Sequence, residues 1–180
     1  YASDINKHTK DPQKHKKVVK NEFQELNILI NNAGYLSPKA FGEMTAEDDD
    51  MAISTNFVAP MRIIRTLLPL MPADGHIVNI SSMSGYQGSS KYPGLSVYGA
   101  AKGALSLLGE SLATEIGEDG PSINTLSLGA VQTEMLAKAF PGYEAPLKPD
   151  NMAEFICWFA ENGSRYFRGQ NLPVTLGNPG

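Results

Sequence analysis

Tyr98 and Lys102 stand four residues apart in the run Tyr98-Gly99-Ala100-Ala101-Lys102, a separation that puts a phenol and an ammonium on one face of a helix. A free phenol titrates at about 10 and is a poor proton carrier at neutral pH. A cation within about 4–6 Å favours the phenolate, which fits the phenol for general acid/base work. By itself the pair is a common helix pattern. Ser81-Ser82 closes the apolar run that starts at His76, and a hydroxyl at such a strand end can hydrogen-bond a carbonyl oxygen on which charge develops. Ser84 rivals Ser82 for this role. Asn31-Asn32-Ala33-Gly34 follows another apolar run; two amides and two small residues let backbone approach a flat ligand, or simply end a strand. Asn56 is a weak helix former inside a helical pattern, and Pro60, four residues on, has no N–H to give its carbonyl. The freed carbonyl needs another donor, a water being the simplest.

The elements that must position these groups alternate. Asp11-Pro12 is a helix start, and the spacing predicts a helix over 12–26 with lysines on its outer face. Ile28-Leu29-Ile30 is short, apolar and β-branched, the composition of a parallel strand covered on both faces. Thr45 is the expected cap of a long helix over 46–71, with Glu47, Asp48, Asp49 and Asp50 in its first turn, where the helix dipole favours them. Strands are expected over 76–81, 122–128 and 171–176, and helices over 98–116 and 151–161. This alternation predicts an α/β fold, a doubly wound parallel sheet of Rossmann type in a single domain over 1–180. In such sheets ligands lie beyond the carboxyl ends of the strands, where Gly34, Ser82 and the start of the Tyr98 helix fall.

With 180 residues, 42% hydrophobic and 19% charged, the chain has the composition of a globular enzyme. A net charge of -4 gives no basic field for nucleic acid or an anionic membrane, and the cluster Lys14, Lys16, Lys17, Lys20 reads as a solvated helix face. Cys157 is alone in an apolar stretch; it is expected to be buried, with no disulfide framework. No apolar run reaches the roughly 18 residues of a membrane span. A cytoplasmic protein with neither membrane nor nucleic-acid partner is expected.

Taken together, Asn31-Asn32-Ala33-Gly34, Ser54-Thr55-Asn56, Asn79-Ile80-Ser81-Ser82 with Gly85, Tyr98-x-x-x-Lys102, Asn124-Thr125-Leu126-Ser127-Leu128-Gly129 and Phe167-Arg168-Gly169-Gln170 resemble, in order and spacing, the classical short-chain dehydrogenase/reductase family over essentially the whole chain. The resemblance implies an NAD- or NADP-dependent oxidoreductase that interconverts a small-molecule carbonyl and a secondary alcohol. It makes Tyr98 the proton donor in reduction and acceptor in oxidation. Lys102 would lower the phenol's pKa and hydrogen-bond the nicotinamide ribose, and Ser82 would orient the substrate oxygen. The Asn56 carbonyl would hold the water linking Lys102 to solvent. Asn32, Ala33 and Gly34 would meet the adenosine and ribose side, Asp4 and Ile5 the adenine, Val131 and Thr133 the nicotinamide carboxamide. A homodimer or homotetramer across the helices at 46–71 and 98–116 is implied as well, with Gly99, Gly103 and Ala104 leaving room for close contact.

Several departures from the family pattern matter. Leu128-Gly129 replaces the usual Pro-Gly, which predicts a less rigid turn before Val131. The stretch 86–96 carries an insertion of about three residues, expected to border the substrate. Met135, Phe140 and Tyr143 point to an apolar pocket in a short lid. No Gly-rich turn precedes Asp4, so the Rossmann-type fold is expected to lack its first strand–helix units, about 60 residues at roughly 30 per βαβ unit. The pyrophosphate seat is expected to lie in that segment. A second reading follows: an inactive cofactor-binding or interaction fragment, with this chain alone not binding the dinucleotide productively.

Overall fold

Among the described residues four runs form strands: β1 (Ile28–Asn31), β2 (His76–Ser82), β3 (Ser122–Leu128) and β4 (Asn171–Val174). They make one parallel sheet in the order β1-β2-β3-β4. The computed structural model describes residues 5–8 and 11–177, so Asp4 lies outside the described residues. Parallel neighbours need a crossover, and helices supply each one. After α1 (Ile5–His8) and α2 (Pro12–Glu22), the first crossover runs through α3 (Ala46–Ile53), a π-helical turn (Ser54–Val58) and α4 (Ala59–Leu67). α5 (Ser96–Ile116) joins β2 to β3, and α6 (Glu134–Ala139) with α7 (Pro149–Asn162) joins β3 to β4.

The period of two along each strand sorts the core into two layers. Ile77 and Ile123 pack with Ile64 of α4 and Ala113 of α5. Val78, Ile80 and Leu126 turn the other way, onto Phe159 and Ala160 of α7. Helices therefore cover both faces, as expected of a doubly wound sheet. His76 is buried on the α7 side of the sheet: its Nδ1 lies 2.9 Å from the Ala160 carbonyl, and Asn124 Nδ2 lies 3.0 Å from its Nε2. A carbonyl can only accept, so Nδ1 carries the proton and Nε2 accepts from the amide. Burial lowers the His76 pKa, which suits this neutral form.

The helix starts match the sequence. Asp11 accepts a hydrogen bond from Lys14 N at 3.1 Å. Thr45 and Asp48 form a reciprocal capping box. Three expectations change. α2 stops at Glu22 rather than near 26, because the chain must extend for the Asn27 carbonyl to accept from His76 N at 2.7 Å. β1 is not covered on both faces: Ile28 and Ile30 remain 37% and 36% exposed, since the α7 layer centres on β2 and β3 and leaves β1 at the rim. Cys157 is exposed rather than buried; on α7 it is Phe159 and Ala160, two and three positions further on, that face the sheet.

Candidate active site

Pro60 has no N–H, so the helix cannot pass it in regular register. The chain answers with the π-helical turn Ser54–Val58, in which Ala59 N bonds the Ser54 carbonyl five residues back. Such turns are rare and concentrate at functional sites. This one buries Asn56 completely. The Asn56 amide donates to the carbonyls of Tyr35 at 2.7 Å and Ala52 at 2.8 Å, while its oxygen accepts from Tyr35 N at 3.0 Å. Sequence reasoning assigned Asn56 only its backbone carbonyl. Its side chain also clamps the backbone just after Gly34, a role no residue spacing announces. A Cβ on Gly34 would lie 3.3 Å from Asn56 Oδ1 and 3.6 Å from Lys102 Nζ, so the turn after β1, the π-helical turn and the Lys102 amine meet at one point.

β1 pairs with β2 only as far as Asn31 opposite Asn79, which leaves the last residues of β2 without a strand on that side. The Ile80 carbonyl there accepts from Lys102 Nζ at 2.8 Å. Lys102 is 3% exposed. Neither of the two ion pairs among the described residues involves it, and burial lowers its pKa to about 8. Its Nζ lies 6.0 Å from the centre of the Tyr98 ring. Burial raises the Tyr98 phenol above its usual range, opposed by a hydrogen bond with Ser82. The expected depression of the phenol by Lys102 is thus not found in this arrangement, where the ammonium is turned to Ile80 and desolvation of the phenolate dominates. Of the two rival serines, Ser82 is the one that meets Tyr98. Ser84 donates its N–H to Ser82 Oγ at 3.1 Å and lays its carbonyl against Gly99.

Three glycines seat α5 against the 3-10 turn Met83–Gly85. A Cβ on Gly85 would stand 2.4 Å from Gly103 N and 2.9 Å from the Gly99 carbonyl, and one on Gly99 would stand 2.8 Å from the Ser84 carbonyl. Gly99 and Gly103 therefore serve contacts within the chain, and their smallness gives no support to self-association. Gly85→Ala is expected to push backbone from backbone, to destabilise the fold by about 1–3 kcal/mol, and to move Tyr98 away from Ser82. Thermal unfolding of the variant checks it; an unchanged midpoint would show that the approach is looser than drawn.

The remaining predicted residues lie on the segments that follow β1 and β3 and on α1. Asn32 and Ala33 are exposed on the turn after β1, and Gly34 is partly buried. Ile5 opens α1, whose Asn6 donates to Thr55 Oγ1 of the π-helical turn at 2.9 Å. Val131 bridges Leu147, and Thr133 caps α6 by accepting from Leu136 N at 3.2 Å. The turn at Leu128-Gly129 is tied down despite its missing proline: Gly129 N donates to the Val174 carbonyl at 2.9 Å, and a Cβ on Gly129 would lie 2.6 Å from Thr175 Oγ1. α6 brings Met135 Cε to 3.9 Å from a Cβ on Gly34, over the site, whereas Tyr143 is 50% exposed. In the stretch 86–96, Lys91 Nζ donates to the Tyr86 carbonyl and to Ser89 Oγ, both at 2.6 Å, and the Gly94 carbonyl accepts from Lys39 N at 3.3 Å. A separate cleft of about 700 Å³ lies between Tyr86, Glu110 and Gln170 and does not include Ser82, Tyr98 or Lys102.

With this geometry in view, the comparisons with known proteins agree with one another. A family model described as short chain dehydrogenase matches residues 1–144. The Dehydrogenase OXI1 of Cochliobolus heterostrophus is 30% identical over 170 residues, covering 84% of this chain and 71% of that protein. The acetoacetyl-CoA reductase of Cupriavidus necator is 31% identical over 172 residues, covering 88% of this chain and 68% of that protein. Across such curated relatives the chain spans from 58% to 71% of their length. Among solved structures, a dehydrogenase/reductase from Sinorhizobium meliloti superimposes with a TM-score of 0.79 at 26% identity, over 94% of this chain and 70% of that one. A 3-ketoacyl-(acyl-carrier-protein) reductase from Brucella melitensis, complexed with NADH, shares the fold with a TM-score of 0.83 at 24% identity, over 96% of this chain and 75% of that one.

Proposed function

The chain belongs to the short-chain dehydrogenase family, and from that membership we propose that the natural protein is an NAD- or NADP-dependent oxidoreductase interconverting a carbonyl and a secondary alcohol, with Tyr98 as its general acid/base. The observation that carries this reading is the meeting of Ser82, Tyr98 and Lys102 at the open end of β2, with the ammonium buried beside the phenol and outside both ion pairs of the described residues. A binding module has no need of a buried, costly cation next to a phenol. The residues present also fit a dinucleotide. Asn32 and Ala33 are exposed on the turn after β1, and a Cβ at Gly34 would press on Asn56 Oδ1 at 3.3 Å, with the Lys102 amine next at 3.6 Å.

When bound, the cofactor supplies or accepts the hydride. The chain supplies the rest. In reduction Tyr98 gives its proton to the carbonyl oxygen as that oxygen gains charge, and Ser82 donates a hydrogen bond to the same oxygen. The Lys102 ammonium stabilises the phenolate left behind and would hydrogen-bond the nicotinamide ribose. The Asn56 carbonyl, which Pro60 cannot satisfy, holds the water that returns a proton toward Lys102. Asn32, Ala33 and Gly34 would hold the adenosine and ribose side, Ile5 the adenine, and Val131 and Thr133 the carboxamide. Oxidation reverses the proton path. Residues 1–180 act as one domain, and the protein self-associates as a homodimer or homotetramer across α3, α4 and α5, where Met51, Ile53 and Leu107 are 41%, 42% and 63% exposed.

The test is to follow NADH and NADPH oxidation by the natural protein against a panel of ketones, aldehydes and β-keto thioesters. Turnover with at least one carbonyl is expected. A folded protein that binds the cofactor and turns over none of them would overturn the reading in favour of a binding role.

A further inference from the structure

Lys102 is fastened to β2 at two points, and only one of them involves its amine. The Lys102 carbonyl accepts a hydrogen bond from Ser81 Oγ at 2.9 Å, and Ser106 Oγ lies 3.0 Å from Ser81 Oγ and 3.1 Å from the same carbonyl. Both serines are buried, at 3% and 2% exposure. Each hydroxyl has a single proton to give. Ser81 gives its proton to the Lys102 carbonyl, and Ser106 gives its own to Ser81 Oγ or to that same carbonyl.

We infer that Ser81 and Ser106 are positioning residues that hold Lys102 in register with the end of β2, so that its ammonium reaches the phenol and the cofactor from a fixed base. This inference rests on the reading of Tyr98 and Lys102 given above. Three consecutive residues of β2 then each fix one point of the pair: the Ile80 carbonyl takes Lys102 Nζ, Ser81 takes the Lys102 backbone, and Ser82 meets Tyr98. A serine that bonds the carbonyl four residues back is common in helices and does no more than satisfy itself. Ser111, which bonds the Leu107 carbonyl at 2.9 Å on the exposed side of α5, is such a case. Ser106 differs because it is buried and continues into a strand hydroxyl. A long, flexible amine needs such a base, since misplacement by about 1 Å can cost on the order of a hundredfold in rate.

The groups around the amine are few. Tyr98 on the same helix is the titratable neighbour. The end of β2, the turn after β1 and the π-helical turn present the Ile80 carbonyl, Gly34 and the Asn56 amide, all uncharged. The experiment combines two readouts on the natural protein and on Ser81→Ala, Ser106→Ala and Ser111→Ala, each first checked for folding by thermal unfolding. The first readout is carbonyl reduction with its pH profile. The second is the titration of the Lys102 amine by NMR of lysine labelled at Cε, with Lys102→Met to assign the signal. Ser81→Ala is expected to lose about tenfold or more in kcat, to shift the pH profile, and to move the Lys102 titration up toward the ordinary lysine value as the amine gains water. Ser106→Ala should move both in the same direction by less, Ser81→Thr should restore them in part, and Ser111→Ala should leave both unchanged. If Ser81→Ala does not fold, Ser106→Ala carries the test, because it leaves the Ser81 bond in place. An unmoved titration and an unmoved profile in folded Ser81→Ala and Ser106→Ala would overturn the inference. Turnover that survives Tyr98→Phe would instead overturn the reading beneath it, and the NMR titration would still decide whether the serines hold Lys102.

Discussion

Tyr98→Phe in the natural protein is expected to lower the rate of carbonyl reduction by about 10²–10⁴-fold, the contribution typical of a positioned general acid, while cofactor affinity stays nearly unchanged. The phenylalanine keeps the ring and its packing and loses only the O–H that meets Ser82. Direction of reaction enters through the phenol's pKa. Burial raises it, so Tyr98 holds its proton throughout neutral pH and is ready to give it. Reduction should therefore begin to fall as the Lys102 ammonium loses its proton at about 8, and fall further as the pH climbs through the raised phenol pKa, where the acid form disappears. Oxidation needs the phenolate and should gain over that same alkaline range. The variant should show neither limb. Rates measured against pH in both directions, with cofactor binding measured separately, check this; a Tyr98→Phe protein that kept most of its kcat and its alkaline limb would remove the tyrosine from the mechanism.

The parts of this molecule legible in the sequence are those governed by local rules. Asp11-Pro12 and Thr45 with Asp48 announce helix starts because capping is satisfied within four residues. β2 and β3 are readable because a strand buried on both faces carries no charged residue and is rich in apolar and small ones. The freed Asn56 carbonyl follows from the missing N–H at Pro60, although the wider π-helical turn around it does not. What stayed hidden depends on contacts between distant segments. The acceptor for Lys102 is the backbone carbonyl of Ile80, and a carbonyl carries no sequence identity. The clamp of Asn56 on Tyr35 spans 21 positions. Gly99 and Gly103 invited a reading as an external seam, because smallness tells that something comes close and not what. The phenol's pKa goes the other way from the spacing argument for a related reason: a separation of four residues puts Lys102 beside Tyr98 but says nothing about where the amine points, nor how far burial disfavours the phenolate.

Lys102→Met is expected to make the protein more stable at neutral pH while removing turnover. The native amine titrates at about 8 against an ordinary 10.5, and at roughly 1.4 kcal/mol per pH unit that gap corresponds to about 3 kcal/mol of cost for keeping the ammonium in the fold. Below about pH 8 the lysine is charged in both folded and unfolded chains, and the full cost is present. Between about 8 and 10.5 the unfolded chain still holds the proton that the folded chain has released, so the unfolded state binds more protons and stability rises with pH. Above that range both are neutral and the cost is gone. A methionine of similar length fills the space with no charge to desolvate and gives up one hydrogen bond to Ile80, a loss of about 1 kcal/mol. The net gain at neutral pH should be on the order of 2 kcal/mol, fading as the pH rises, and the alkaline rise in stability should be smaller in the variant by one proton. Urea unfolding of both proteins near pH 7 and near pH 10 measures it directly, and other groups titrating in that range cancel in the difference. Equal stability with equal slope would mean that the amine is solvated after all, and its burial would then explain nothing about the site. A stabler, inactive Lys102→Met would mean that the fold carries this charge at a cost and that only chemistry at Tyr98 gives a reason to keep it.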